Sequence, residues 1–108
     1  MLTSLEGSPK EIDDGITITN NSSLSSLVGL PNKINGRFTC GEIPITSLAG
    51  APTYIGKIFD FSDCYNLKSL EGFPEFVGGD VYTPYRVSEM KKMIPNLSKR
   101  VKGKIETF

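Results

Sequence analysis

One short phrase recurs four times along this chain, and it constrains the fold more than any other feature. Each copy reads L-x-x-L-x-G-x-P or a close variant, and its glycines are Gly7, Gly29, Gly50 and Gly72. The copies are 22, 21 and 22 residues apart. Five further columns keep this spacing: a leucine, a proline, and apolar columns that begin at Ile12, Ile16 and Ile18. A repeat of this length that keeps its register indicates a solenoid, in which stacked units bury one continuous core.

Within each copy, apolar residues alternate with polar ones, as in Phe38, Thr39 and Cys40. This period of two indicates a short strand with one face inward. Stacking the units places the strands side by side, about 4.8 Å apart, in a parallel sheet. Proline and glycine are too frequent for helices in the repeats. We therefore predict a mainly β, single-domain solenoid of four 21–22-residue units over residues 1–86, forming a parallel sheet.

The repeat pattern stops after Val81, and residues 87–108 are predicted to form a short helical C-terminal cap. Residues 88–94 have the pattern of a helix that Ser88 caps and Pro95 ends. An apolar stripe that packs on the last repeat is predicted for Met90, Met93 and Ile94. The remaining residues alternate basic and apolar side chains, which fits either a second helix or an edge strand.

Two stretches carry a family resemblance, FDFSDCYNLKSL at 59–70 and GITITNNSSLSSL at 15–27. In both, alternating apolar residues lead to an asparagine and then to L-x-x-L, which resembles a leucine-rich repeat. The wording L-x-S-L-x-G-x-P-x-x-V/I is similar to short repeat proteins often encoded by bacteriophages. The resemblance covers residues 2–83. It implies that an asparagine side chain satisfies the turn after the strand, a role for Asn21 or Asn66, with Cys64 as an alternative filler.

The N-terminal end of the repeats has no comparable cap, because the first copy begins at residue 2. We expect Met1, Leu2 and Leu5 either to be poorly protected or to be covered by another chain. A homodimer through this end is one hypothesis for the assembly.

The residue types that catalysis most often uses are missing or misplaced. The chain has no histidine, the commonest general base and metal ligand. Cys40 lies in an inward column, where a buried thiol is inert, and Cys64 is expected to be nearer the surface. A disulfide between them is not expected in a cytosolic chain. Solvated turn positions are the favoured interpretation of Asp13, Asp14, Asp60 and Asp63. We predict a protein that is not an enzyme, with no catalytic residues, cofactor or metal.

The compartment is predicted from what the sequence lacks. No apolar run approaches the length of a membrane span, and the start lacks the features of a signal peptide. We expect a cytoplasmic protein with no membrane partner, located in the host cytoplasm if a phage encodes it.

Outward positions on the predicted strands differ from copy to copy, which favours one irregular partner, most naturally a protein. Tyrosine and arginine dominate many interfaces. The predicted partner-binding residues are Arg37, Asp60, Tyr82, Tyr85 and Arg86. The alternative is that the tyrosines pack at the edge of the core, and for Tyr54 we favour packing.

Charge is divided unevenly along the chain. Residues 1–86 carry 6 basic and 10 acidic side chains, a net charge of −4, whereas residues 87–108 carry 6 basic and 2 acidic, a net charge of +4. A basic tail can contact nucleic-acid phosphates or an acidic partner. The residues concerned are Lys99, Arg100, Lys102 and Lys104. We favour the alternative that they form a solvated face, and we expect no nucleic-acid partner.

Together these features predict a non-enzymatic protein–protein interaction module. The resemblance implies a small phage accessory protein that binds and inhibits a host protein, such as a defence component. Two alternatives remain open: nucleic-acid binding through the basic tail, and a structural or assembly protein that oligomerises through its uncapped end.

Overall fold

The computed structural model describes residues 11–20 and 26–107. Most of its regular structure is extended, and each strand is short. The strands in this part of the chain are β1 (Glu11–Ile12), β2 (Ile16–Thr19), β3 (Lys33–Ile34), β4 (Phe38–Gly41), β5 (Tyr54–Ile55), β6 (Phe59–Asp63), β7 (Phe76–Val77), β8 (Val81–Thr83) and β9 (Ile105–Thr107). Its helices are α1 (Val87–Met93) and α2 (Leu97–Arg100). None of the helices in these residues is long and apolar enough to cross a membrane.

The strands form two parallel sheets that run along the same solenoid. One has the order β1-β3-β5-β7 and the other the order β2-β4-β6-β8-β9. Ile16, Phe38, Phe59 and Val81 are in register across the larger sheet. This confirms the predicted solenoid of stacked repeats. The smaller sheet is additional: the column that begins at Ile12 forms its own ladder of two-residue strands, rather than leading into a single sheet.

The core lies between the two sheets and is filled by the apolar columns of the repeat. Phe38 and Phe59 are fully buried and stack with ring centroids 5.6 Å apart and nearly parallel planes. Phe61 and Phe73 pack against Phe59 at tilted angles. Equivalent side chains from successive copies thus lie above one another, which is the reason that units too small to fold alone form a stable stack.

In the three copies whose turns are described, the repeated phrase itself forms the same tight turn. Leu30, Ala51 and Phe73 donate their backbone N–H groups to the carbonyl oxygens of Leu27, Leu48 and Leu70. The glycines have positive φ, +92° at Gly50 and +94° at Gly72, and a Cβ at Gly72 would overlap the backbone of Leu48 and Ala49. Glycine is required there because successive turns contact each other backbone to backbone.

Helix α1 covers the last repeat, as predicted, but two details of the prediction are wrong. The helix begins at Val87 with Arg86 at the N-cap position and no side-chain cap, so Ser88 lies inside the first turn. Met90 and Ile94 are buried in the core, whereas Met93 is 46% exposed. A seven-residue helix presents only one narrow stripe to the core, and Met93 lies outside that stripe.

After the helices, the chain returns to the solenoid and adds a fifth turn. Val101 forms a parallel bridge with Val77, and Ile105 pairs with Val81 at the start of β9. Residues 101–107, VKGKIET, repeat the spacing of VGGDVYT at residues 77–83. The sequence left open whether the last residues form a second helix or an edge strand. The structure contains both, as α2 and β9. The domain boundary after residue 86 stays a prediction.

Several predictions lie outside the described residues. They concern the first copy, with Met1, Leu2 and Leu5, and the asparagine at position 21. Homodimerisation through the N-terminal end therefore stays a prediction.

Candidate interaction surfaces

The larger sheet presents one continuous outward column. Its members alternate with the core residues along their strands, so they point away from the core. They are in register across all five strands: Thr17, Thr39, Asp60, Tyr82 and Glu106. No two neighbours after the first pair are alike, which gives this surface an irregular pattern of hydroxyl, carboxylate and aromatic groups.

Arg37 joins this column from the residue before β4. Its Nη2 atom lies 3.6 Å from Oδ2 of Asp60, and its Nε–H donates to Oγ1 of Thr39 at 3.0 Å. The other carboxylate oxygen of Asp60 accepts from the backbone N–H and the hydroxyl of Ser62 at 3.0 and 2.7 Å. Tyr82 is the register partner of Asp60 on the next strand. The structure therefore brings Arg37, Asp60 and Tyr82 together, and we call these three residues the sheet-face patch.

Tyr85 and Arg86, also predicted to bind a partner, lie instead at the joint between the sheet and α1. The hydroxyl of Tyr85 donates to the carbonyl oxygen of Leu67 at 2.6 Å, and its own carbonyl accepts from the hydroxyl of Thr107 at 2.7 Å. Arg86 is exposed, and its carbonyl oxygen accepts the first helical hydrogen bonds. Tyr85 thus holds β8, β9 and the preceding turn together.

The four basic residues of the predicted tail site lie on different elements. Lys99 and Arg100 are on α2, whereas Lys102 and Lys104 are in the connection to β9. Arg100 is half-buried, with Nη1 3.4 Å from the carbonyl oxygen of Phe73. The backbone N–H of Lys104 donates to a carboxylate oxygen of Asp80 at 2.8 Å.

On the outward face of the smaller sheet, side chains from neighbouring strands stack on one another. The rings of Tyr54 and Phe76 have centroids 4.8 Å apart and planes inclined by 15°, and Nζ of Lys33 lies 4.9 Å from the Tyr54 centroid. Both faces of the Tyr54 ring are therefore occupied within the chain. Tyr54 therefore packs, but against Phe76 in the outward column of the smaller sheet and not at the edge of the core as expected.

The two cysteines meet between adjacent turns of the solenoid. Both are free thiols, each 1% exposed, with their sulfur atoms 3.5 Å apart. The hydrogen bond with Cys64 and burial raise the pKa of the Cys40 thiol well above its ordinary value. The expectation that Cys64 would be more accessible is wrong. Asn66 is exposed, so its side chain does not fill the buried turn after the strand. Cys64 occupies that buried position instead.

Tyr65 was not among the predicted site residues, although it is the most exposed large apolar side chain that the structure describes, at 72%. Its hydroxyl donates to Oδ1 of Asp63 at 2.8 Å. That hydrogen bond and the charge of Asp63 raise the pKa of Tyr65 above its ordinary value.

Among residues 11–20 and 26–107, no three His, Cys, Asp or Glu side chains are grouped to hold a metal ion.

A groove of about 560 Å³ lies between the turn of the last repeat and the two helices. One wall is the turn at residues 68–73, and the other is formed by residues 93–95 and Arg100. The repeat pattern gives no direct sign of it, because the groove forms where the pattern is interrupted. We call it the cap groove.

No protein-family model, no curated protein and no solved structure matches this chain. Function is therefore inferred from the geometry and chemistry of these surfaces.

Proposed function

We propose that the protein is a non-enzymatic protein–protein interaction module whose binding surface is the sheet-face patch. One observation carries the proposal: Asp60 and Tyr82 lie opposite each other on neighbouring strands, and Arg37, the residue before β4, is held against Asp60 at 3.6 Å. An arginine, a carboxylate and a tyrosine in one small area form the kind of cluster that dominates binding energy at interfaces.

The rigidity of the sheet supports the proposal. β4, β6 and β8 each pair with a strand on both sides, so the backbone that carries the patch is fixed before a partner arrives. Binding then loses little conformational entropy at these positions. The outward column also changes from strand to strand, which suits a single irregular partner better than a repetitive polymer.

The class of partner is proposed from the amino-acid sequence of the repeat. The L-x-S-L-x-G-x-P phrase resembles leucine-rich-repeat-like proteins that bacteriophages encode. We infer that the protein is a small phage accessory protein that binds and inhibits a host protein, such as a defence component, in the host cytoplasm.

The test uses site-specific photo-crosslinking in a lysate of the host cell. A photoreactive amino acid replaces Tyr82 in the full chain, and a matched control carries it at Glu75, an exposed position before β7. We expect a crosslinked host protein from position 82 and not from position 75. The same host protein should be lost from affinity capture with Arg37→Ala and retained with Glu75→Ala. Capture that Arg37→Ala and Tyr82→Ala leave unchanged would remove the sheet-face patch from consideration.

A further inference from the structure

The cap groove lies where the stacking of each turn on the one before it is interrupted by α1. In the described repeats, each turn lies directly on the one before it: a Cβ at Gly50 would meet Val28, and a Cβ at Gly72 would meet Ala49. The turn at residues 70–73 should in the same way support a fifth turn. The chain enters α1 at Val87 instead. Ile94 and Asn96 keep the leucine and glycine positions of the turn, seven and five residues before Val101, and Asn96 has a positive φ, but the ladder with the preceding copy resumes only at Val101.

The interruption leaves backbone groups of the last turn without the partners that the preceding turn has. The carbonyl oxygen of Thr46 accepts from the N–H of Lys68 at 2.8 Å, and the N–H of Leu48 donates to the carbonyl oxygen of Glu71 at 2.9 Å. One repeat later, the equivalent groups are the carbonyl oxygen of Lys68 and the N–H of Leu70. Within residues 11–20 and 26–107, no hydrogen bond engages either group. Backbone groups of this kind form hydrogen bonds readily with an added strand.

Helix α1 makes no hydrogen bond to either group within residues 11–20 and 26–107. Ile94, which lines the groove, uses its N–H at the end of the helix, where it donates to the carbonyl oxygen of Met90 at 2.9 Å. The helix therefore contributes side chains to the groove and no backbone hydrogen bond to the turn.

The side chains of the cap groove combine apolar surface with positive charge. Apolar contacts come from Phe73, the exposed Met93, Ile94 and Pro95, and the charged lining consists of Lys68 and Arg100 against a single acid, Glu71. The helices also bring Lys91, Lys92 and Lys99, and residues 87–108 carry a net charge of +4. This end of the protein is therefore complementary to an acidic partner.

We propose that the cap groove binds an extended acidic peptide segment of a partner protein, which completes the interrupted solenoid. The peptide backbone bonds to the carbonyl oxygen of Lys68 and the N–H of Leu70. An apolar side chain packs on Met93 and Phe73, while carboxylates face Lys68 and Arg100. As in strand addition to a sheet edge, the main chain supplies affinity and the side chains supply specificity, although residues 68–70 form a loop segment and not a strand. The cap groove shares no residue with the sheet-face patch, so this inference goes beyond the proposed function.

The first experiment is fluorescence anisotropy of the full chain with a short labelled peptide in which leucine alternates with glutamate. We expect saturable binding with a dissociation constant on the order of 10–100 μM. Two matched peptides serve as controls. One has lysine in place of glutamate, and the other carries backbone N-methyl groups that remove its N–H donors. Both should bind at least about tenfold more weakly.

The second experiment uses variants at exposed positions, whose folding is checked by circular dichroism. Met93→Ser and Lys68→Glu should each weaken the peptide at least about tenfold, because they remove an apolar contact and reverse a charge. Lys104→Glu is the charge-matched control outside the groove, and Arg37→Ala is the control for the sheet-face patch. Both controls should bind the peptide within about twofold of the unmodified chain.

Three outcomes would overturn the proposal. The first is no binding of the glutamate peptide, or equal binding of the lysine peptide. The second is binding that Met93→Ser and Lys68→Glu leave unchanged. The third is a different occupant: tighter binding of labelled single-stranded DNA that depends on Lys68, or a dimer in light scattering that Met93→Ser abolishes.

Discussion

The thiol of Cys64 donates to the carbonyl oxygen of Cys40, with sulfur and oxygen 3.3 Å apart. The contact joins adjacent turns where the register of β4 against β6 shifts, from Thr39 opposite Asp60 to Gly41 opposite Asp63. Cys40 has no register partner in β6 at this bulge. The side chain of Cys64 therefore compensates locally for an interrupted ladder.

Replacing Cys64 by alanine should lower the free energy of unfolding by about 1–3 kcal/mol, because a buried carbonyl loses its donor and a small cavity opens. Cys64→Ser should cost less, since the hydroxyl still donates. Urea denaturation under reducing conditions measures both. The matched control is Asn66→Ala, an exposed change expected to stay within about 0.5 kcal/mol. Equal effects at the two positions would mean that the Cys64 thiol does not stabilise the bulge.

The stability of the protein should decrease at alkaline pH. The pKa of Cys40 is raised above its ordinary value of 9.0, first by the hydrogen bond with Cys64 and then by burial. The folded state therefore keeps a proton that the unfolded chain releases above that pH, so the free energy of unfolding falls as pH rises further. The raised pKa values of Tyr65 and Tyr85 act in the same direction.

Urea denaturation at a series of pH values measures this slope. Cys40→Ala should be less stable at neutral pH because of lost packing, but its stability should decline less steeply above pH 9.0. An unchanged alkaline slope in Cys40→Ala would show that another group is responsible.

Gly72→Ala should be strongly destabilising. Its φ of +94° costs any residue with a Cβ about 1–2 kcal/mol, and the added atom would overlap the backbone of Leu48 and Ala49. We expect a loss of at least about 2 kcal/mol in the free energy of unfolding, read from thermal or urea denaturation. The neighbouring exposed change Glu71→Ala is the control, with an expected effect within about 0.5 kcal/mol. A tolerated Gly72→Ala would contradict the close backbone stacking of the turns.

Tyr85→Phe should lower the free energy of unfolding by about 1–2 kcal/mol, since it removes the 2.6 Å hydrogen bond to Leu67 and leaves that carbonyl without its donor. The change keeps the ring. Tyr65→Phe removes a hydroxyl that is exposed and bonded to Asp63, so it should cost less. A Tyr85→Phe protein as stable as the unmodified chain would mean that this hydroxyl contributes nothing to the joint.

The core columns of this fold were predictable from sequence because burial imposes a period of two on each strand and a period of 21–22 on the chain. The fifth turn at residues 101–107 was missed for a physical reason. The helices lengthen the step from Val77 to Val101 to 24 residues, and Asn96 and Ser98 stand where the preceding copy has Gly72 and Pro74. The remaining signals were the short V-x-G-x-I-x-T spacing and Ile94, which lies seven residues before Val101 as Leu70 lies seven before Val77.

Individual side chains were harder to assign than columns. Arg37 and Asp60 were predicted to face the same side, and they do, because alternation along a strand fixes direction. Cys64 was wrongly expected near the surface, since a bulge in β6 shifts the alternation after Phe61. The cap groove could not be predicted from any pattern, because it lies where the helices interrupt the stacking of turns and depends on how two short helices pack.

The stacking of each turn on the one before it makes the length of this protein adjustable. A duplicated internal copy would bring its own glycine, its own inward columns and its own ladder groups, so it would fit between existing turns without new contacts. Each insertion would lengthen the body by one strand spacing, about 4.8 Å. The two ends would move apart in fixed increments while each kept its own structure, so the number of copies sets the distance between them.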